Sequence, residues 1–350
     1  MNRKKQWKRI WIAIPVVLLI GVIIFFENHS NEEKKFSKQY LDVFDTVTVI
    51  TGYAKSEDEF LKQSEALHQE LNFYHQLFDI YHTYDGMNNL MSINEKCPSE
   101  SLSVEQKMME FLTYCKEMEE ETNGQTNIAL GSVLQIWHQY REDGLKNPKE
   151  AKLPSLKELQ DAGTHTNIDQ LVLNEQDLTV KFSDEKLRLD VGGIAKGYAV
   201  EKVAQYAKKK GWDHLLLNVG GNIRAVGAKP DQSKWTIGIQ DPFGESEDAY
   251  LQTFQIKEGS MVTSGNYQRY YVVDGKKYCH IIDPKTLYPA EYIAAVTIQC
   301  EDSGLADSYS TAFFNMSLDE GKAFAKKHPQ IEVLWVTNDG KVTMTDGFGE

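Results

Sequence analysis

Apolar and polar positions along this chain recur at two spacings, and the changes between them outline the elements. From Tyr40 to Tyr53, Val43, Val47 and Val49 are interleaved with Thr46 and Thr48, the two-residue period of a strand. From Ser56 to about Phe78, Phe60, Leu61, Leu67, Leu71, Tyr74, Leu77 and Phe78 make one helical stripe. A Tyr- and Asn-rich stretch from Phe78 to Asn94 then reads as a loop. Ser103, with Gln106 three residues on, is expected to open a second long helix to about Glu120. Gly124 to Trp137 reads as a loop leading into a helix. The polar run His138 to Lys152, with Pro148 and then Pro154, reads as a surface excursion before a short helix opened by Ser155. Leu171–Leu173 and Leu178–Phe182 pattern as a hairpin.

The hairpin leads to Leu189-Asp190-Val191-Gly192-Gly193-Ile194-Ala195-Lys196-Gly197, a strand-like run that ends on an acid and turns through two glycines into a helix. That helix closes with Lys208, Lys209, Lys210 and Gly211, a basic last turn and a glycine stop. Leu215 to Val219 then runs into a second glycine turn, Gly220-Gly221-Asn222. Strands are expected at Trp235–Ile239, Leu251–Ile256, Met261–Thr263 and Ala294–Cys300. A hairpin about Asp274-Gly275 joins Arg269–Val273 to Lys277–Ile282, and another about Asp339-Gly340 joins Val333–Thr337 to Val342–Thr345. Gly304–Met316 and Leu318–His328 pattern as helices. With no repeat and no second boundary, residues 37–350 read as one α+β domain with mostly antiparallel sheets and flanking helices.

The N-terminal part follows a different rule. Ile10 to Phe26 is a run of apolar or small residues interrupted only by Pro15 and Gly21, preceded by Arg3, Lys4, Lys5, Lys8 and Arg9. No small-x-small cleavage site follows. Residues 1–36 therefore read as a basic cytoplasmic tip, a single-pass anchor and a polar stalk, in preference to a cleaved signal peptide, with the body outside the cytoplasm. The net charge is −13, and setting aside those five positives leaves −18 for the rest. An acidic body of that size excludes a nucleic-acid groove, so any anionic ligand must be met by local amides, a lysine or a cation. The four cysteines, Cys97, Cys115, Cys279 and Cys300, are too scattered for a disulfide framework or zinc site; Cys279 and Cys300, each near a strand end, could pair outside the membrane, but the preferred reading is four unpaired structural residues.

The candidate chemistry lies in a few short segments. A helix start exposes unpaired N–H groups and the positive end of the dipole, so the Gly192-Gly193 turn with Lys196 suits an anion; its spacing is neither G-x-G-x-x-G nor a Walker loop. Asp307 and Thr311, four apart on a helix, put a carboxylate and a hydroxyl on one face, which suits a hard cation; the plainer reading is a cap at Ser303 and a solvated acid. His280 leaves a strand into the Asp283-Pro284 turn, as a base or as a residue hydrogen-bonded to that turn. Tyr81 or Tyr84 can stack on a flat ring or simply pack.

Taken in order, Asp190-x-Gly192-Gly193-Ile194-Ala195-Lys196-Gly197, Asn218-x-Gly220-Gly221-Asn222, Ser264-Gly265, His280-Ile281-Ile282-Asp283-Pro284 and Ala306-Asp307-x-x-x-Thr311 resemble the ApbE-type FAD:protein FMN transferases. The likeness runs from about Leu41 to Thr345. It implies a T-fold-related α+β domain that splits FAD, transfers FMN through a phosphoester to a Thr or Ser hydroxyl of an acceptor protein, and releases AMP. It further implies FAD contacts at Phe44, Tyr81, Gln125, Thr126, Asn127, Asp190, Lys196 and Ile281. A Mg²⁺ site is implied at the Gly193 carbonyl, Asp307 and Thr311 with Ser310 beside them, and His280 as general base. The chain departs from the family pattern at Phe44-Asp45-Thr46 for Met-Gly-Thr, at Asn127 for an acid and at Leu287 for a glycine. It lacks an Asp-x-x-Thr/Ser-Gly-Ala-Thr/Ser acceptor stretch of its own. The expected partners are FAD, an extracytoplasmic acceptor protein carrying a Thr/Ser flavinylation motif, and the bacterial cell membrane; a FAD pyrophosphatase and a non-catalytic FAD-binding surface protein are the alternatives.

Overall fold

The computed structural model describes residues 32–246 and 249–350. The expected anchor Ile10–Phe26 lies outside the described residues, and among those described no helix is long and apolar enough to cross a membrane.

The first apolar alternation forms two strands, where one was expected. β1 (Lys34–Val43) and β2 (Thr46–Ala54) pair antiparallel from Lys34↔Ala54 to Val43↔Thr46 and are joined by Phe44 and Asp45. Both turn residues adopt left-handed backbone, φ 55° and 50°. A two-residue hairpin between right-twisted strands requires this, and Asp tolerates it better than most residues. β1 also takes in Lys34–Phe36, the end of the segment expected to form a stalk.

α1 (Glu57–Phe78) begins at Ser56, whose hydroxyl accepts from the Glu59 N–H at 3.2 Å, a cap worth about 1 kcal/mol. The expected loop after it contains α2 (Leu90–Lys96), capped by the Asn89 side chain on the Ser92 N–H. β3 (Leu102–Ser103) follows, so Ser103 pairs with Thr179 and does not cap the next helix. That helix, α3 (Gln106–Glu121), starts after an extended Glu105 without a side-chain cap. α4 (Gly131–Lys146) takes in the first part of the segment read as a surface excursion, as far as Lys146, because Val133 and Trp137, four apart, bury one face of it. α5 (Leu156–Gly163), β4 (Leu171–Asn174) and β5 (Thr179–Phe182) come next, the last two as the expected hairpin.

The focal helix is α6 (Ala195–Lys209). After it come β6 (Leu215–Val219), β7 (Asn222–Val226), β8 (Trp235–Gln240), β9 (Tyr250–Ile256), β10 (Gly259–Gly265), β11 (Tyr270–Val273), β12 (Lys276–Cys279) and β13 (Ala295–Cys300). α7 (Ser303–Phe314), α8 (Leu318–Ala325), β14 (Glu332–Val336) and β15 (Val342–Met344) finish the chain. α7 is capped by Asp302, one residue before the Ser303 expected there.

Eight strands form the main sheet in the order β1-β2-β6-β7-β10-β13-β14-β15, antiparallel throughout. Both faces are covered, and adjacent residues go to opposite cores. Val262, Val296 and Trp335 pack with Phe313 of α7, whereas Met261, Ala295 and Leu334 pack with Trp235 and Phe254 of the β8–β9 hairpin. α1 and α6 cover the β1–β7 half of the helical face. All four cysteines are free, as their scatter implies.

Candidate active site

At one end of the main sheet, the Gly220-Gly221 turn and the end of β10 meet the first turn of α6 around a cleft of about 1530 Å³. Its floor is the focal segment, which is irregular backbone and not the strand its apolar pattern suggests. Asn94 holds that backbone open: its Nδ2 donates to the Leu189 carbonyl at 2.9 Å and its Oδ1 accepts the Leu189 N–H at 2.8 Å. The Asp190 N–H donates to the Ile128 carbonyl at 2.8 Å, and Asp190 Oδ1 accepts the Gly192 N–H at 2.9 Å. That local turn aims the chain into α6 and puts Gln125, Thr126 and Asn127 beside it.

α6 and α7 cross with backbone almost in contact. A Cβ on Gly197 would lie 2.3 Å from both Asp307 Cβ and the Ser303 carbonyl oxygen, and one on Gly193 would lie 2.9 Å from Thr311 Oγ1. The glycines are there because nothing larger fits. In the space they leave, the Gly197 N–H donates to Asp307 Oδ2 at 2.7 Å and the Thr311 hydroxyl donates to the Gly193 carbonyl at 2.9 Å. The carbonyl of Gly193, the carboxylate of Asp307 and the hydroxyl of Thr311 thus form one set of hard oxygen donors at the cleft wall, a set that fits a small divalent cation. Among the described residues no group of three His, Cys, Asp or Glu could hold a metal, so a cation here would draw much of its shell from substrate phosphate and water. Ser310 departs from expectation. It is fully buried, donates to the Asp307 carbonyl at 2.8 Å and meets Ser264 Oγ at 2.8 Å, because one residue along a helix turns it about 100° from Thr311, toward β10.

His280 follows β12, and its Nδ1 lies 3.2 Å from the Arg269 carbonyl. The carbonyl can only accept, so Nδ1 carries the proton and Nε2 keeps a free lone pair. Burial, with Arg269, Lys196 and Arg141 nearby, pushes its pKa down to about 3, so the ring is neutral at physiological pH. Its hydrogen bond is to Arg269 and not to the Asp283 turn. Asp283 instead accepts from the Tyr292 hydroxyl at 2.9 Å, which pins the loop that carries Ile281. Leu287 in that loop has φ 60°, which accounts for a glycine at that place in the family pattern.

The two tyrosines separate cleanly. Tyr84 is tied through its hydroxyl to Asp79 Oδ2 at 2.8 Å, whereas the Tyr81 ring is 56% exposed on the cleft wall with its hydroxyl 3.3 Å from His138 Nδ1. Phe44 also lines the cleft, its ring edge-on to His75. Thr126 donates to the Ser308 carbonyl at 2.7 Å, and Asn127 donates to the Thr166 carbonyl at 2.9 Å, so both fix the turn that presents Gln125.

The sequence reading passed over His138, Arg141, Arg269 and Asn315, all of which line the cleft. His138 Nε2 is 3.9 Å from Asp190 Oδ2; burial lowers its pKa, against the pull of Asp190. Leu134, His138 and Arg141 have spacings of four and three, the signature of one helix face, but the polar composition of the run hid it.

A model of the ApbE family matches residues 44–335 of this chain. The FAD:protein FMN transferase of Klebsiella pneumoniae (strain 342) is 27% identical over 259 residues, covering 74% of this chain and 78% of that protein. The one from Escherichia coli (strain K12) is 26% identical over 345 residues, 94% of each chain. Among solved structures, the ApbE protein of Thermotoga maritima superposes with a TM-score of 0.79 at 26% identity, covering 90% of this chain and 98% of that one. The flavin transferase ApbE of Vibrio cholerae gives 0.73 at 22% identity, with coverage of 90% and 98%.

Proposed function

The chain belongs to the ApbE family, and on that premise we propose that it is an FAD:protein FMN transferase, anchored in the cell membrane and acting on an acceptor protein outside the cytoplasm. The observation that carries this reading is the pairing, in one cleft, of the hard oxygens of Gly193, Asp307 and Thr311 with a neutral, oriented His280.

Mg²⁺ held by those three oxygens would neutralise charge on the FAD pyrophosphate. Lys196, in the first turn of α6, adds a point charge next to the N–H groups of the helix start. Tyr81 and Phe44 offer flat faces for the ring system. His280 Nε2 accepts the proton of the acceptor Thr or Ser hydroxyl as its oxygen attacks the FMN phosphorus. The bond from that phosphorus to the bridging oxygen breaks, and AMP leaves with the electron pair; FAD and a protein alcohol become an FMN phosphoester and AMP. The work is alignment and charge neutralisation, as phosphoryl-type transfer requires. The basic N-terminus and apolar Ile10–Phe26 run support the anchored, outward-facing arrangement.

The test is to incubate the full-length chain in detergent with FAD, Mg²⁺ and an acceptor domain, with and without EDTA. We expect the acceptor to gain one FMN by mass spectrometry while AMP accumulates, both only with free metal. AMP without an adduct, across several acceptors, would replace this reading with a pyrophosphatase; tight FAD binding with no AMP would replace it with a flavin carrier.

A further inference from the structure

Two residues that line the cleft each carry a buried side-chain oxygen with no donor among the described residues. Asn315, which ends α7, is 2% exposed, and its Nδ2 donates to the Gln125 backbone carbonyl at 3.1 Å. Because that carbonyl only accepts, the Asn315 amide is fixed with Oδ1 on its other side, and this oxygen is buried without a partner. Gln125, 4% exposed, has its Oε1 in the same condition. Neighbouring polar groups are satisfied: Thr126 reaches the Ser308 carbonyl, and Asn127 bonds through both ends of its amide. The two leftover acceptors therefore mark a place where a donor is missing, not a loosely packed region.

We propose that Gln125 and Asn315 form a subsite that reads the exocyclic amino group of the adenine in FAD; this rests on the FAD reading above. A primary aromatic amine has two hydrogens and can serve two acceptors. The flavin imide offers one hydrogen between two carbonyls, and a 6-oxo purine offers a carbonyl, so each would set oxygen against amide oxygen. The pair thus favours the adenine end of the dinucleotide over the flavin end, and amino over oxo. Asn315 stands four residues after Thr311, so the subsite adjoins the oxygens suited to the pyrophosphate.

Full-length protein in detergent with Mg²⁺ is titrated with FAD and with its 6-oxo analogue, flavin hypoxanthine dinucleotide, following flavin fluorescence. Wild type should bind FAD about tenfold more tightly or better, since a buried acceptor rejects a ligand that leaves it unpaired. Asn315→Leu and Gln125→Leu should bring the two affinities to within about threefold, mainly through weaker FAD binding. Equal affinities in wild type, or an unchanged preference in both variants, overturn the subsite and leave the oxygens to a buried water. If wild type binds neither dinucleotide, the FAD reading fails and the subsite with it. Should Asn315→Leu lose cooperative thermal unfolding, Gln125→Leu decides: it should lose the preference, and an unchanged preference there overturns the subsite.

Discussion

At the residue scale, Asp307 has two tasks that one substitution can separate. Its Oδ2 receives the Gly197 N–H and so helps hold two helices together, while its charge is what a cation would use. Asp307→Asn keeps an oxygen for Gly197 and removes the charge. We expect it to fold and to lose about 10²-fold or more in metal-dependent transfer; near-normal transfer would sink the metal assignment. His280→Gln should keep FAD affinity and lose about 10²–10⁴ in turnover, and unchanged kinetics would remove its role as base. Because the His280 pKa is depressed to about 3, the free enzyme already holds it neutral above that value. Its burial costs stability only at lower pH: the unfolded chain takes up the proton near pH 6.5, so this contribution declines from there down to about pH 3. The prediction is a pH–rate profile for kcat/KM without a limb near 6.5 from His280; a limb that disappears in His280→Gln would contradict the depressed pKa. The residue types at these positions were readable in the chain. The direction of the Ser310 hydroxyl was not, since it depends on which face of α7 meets β10.

Among elements, the α6–α7 crossing governs the site. Gly197→Ala places a Cβ 2.3 Å from Asp307 Cβ and from the Ser303 carbonyl, and neither a backbone oxygen nor a Cβ can move aside cheaply. The helices must separate, at a cost of about 1–3 kcal/mol in unfolding free energy, and metal-dependent activity should fall with it. A wild-type melting profile and rate would refute the close crossing. Behind it lies an ion network that is buried at Arg224 and Glu201 and reaches the surface at Glu258. Arg224 of β7, 3% exposed, donates through Nε to Glu201 of α6 at 2.9 Å and through Nη1 to Glu258 at 2.6 Å. Glu201 also accepts the Ser303 N–H at the start of α7 at 3.1 Å. Arg224→Met strands Glu201 and should cost about 3–5 kcal/mol, measurable by urea unfolding; a loss under 1 kcal/mol would mean that water already serves the carboxylates. Strong periodicity made most elements legible, while mixed composition concealed α2 and the length of α4. Ser103 resembled a cap but was claimed by β-pairing with Thr179.

Over the whole molecule, an acidic protein that binds a dinucleotide through local contacts should depend sharply on metal. FAD with Mg²⁺ at a hundredfold excess over Kd should stabilise the fold by about 2.7 kcal/mol, and EDTA should remove most of that gain; an EDTA-insensitive shift in melting temperature would argue against a cation bridge. The order of short motifs was enough to find the family resemblance and, through it, to single out Gly193, Asp307, Thr311 and His280 as candidates, which the fold brings to one cleft. Alternation of apolar residues announced an antiparallel α+β domain because side-chain period follows backbone geometry. Folding alone decided which residues share the cleft. Asn94 bends the focal segment from 95 residues away, α4 carries His138 and Arg141 inward, and Asn315 meets Gln125 across 190 residues. No local pattern encodes such meetings, since they arise from how helices and sheet pack once the chain is closed.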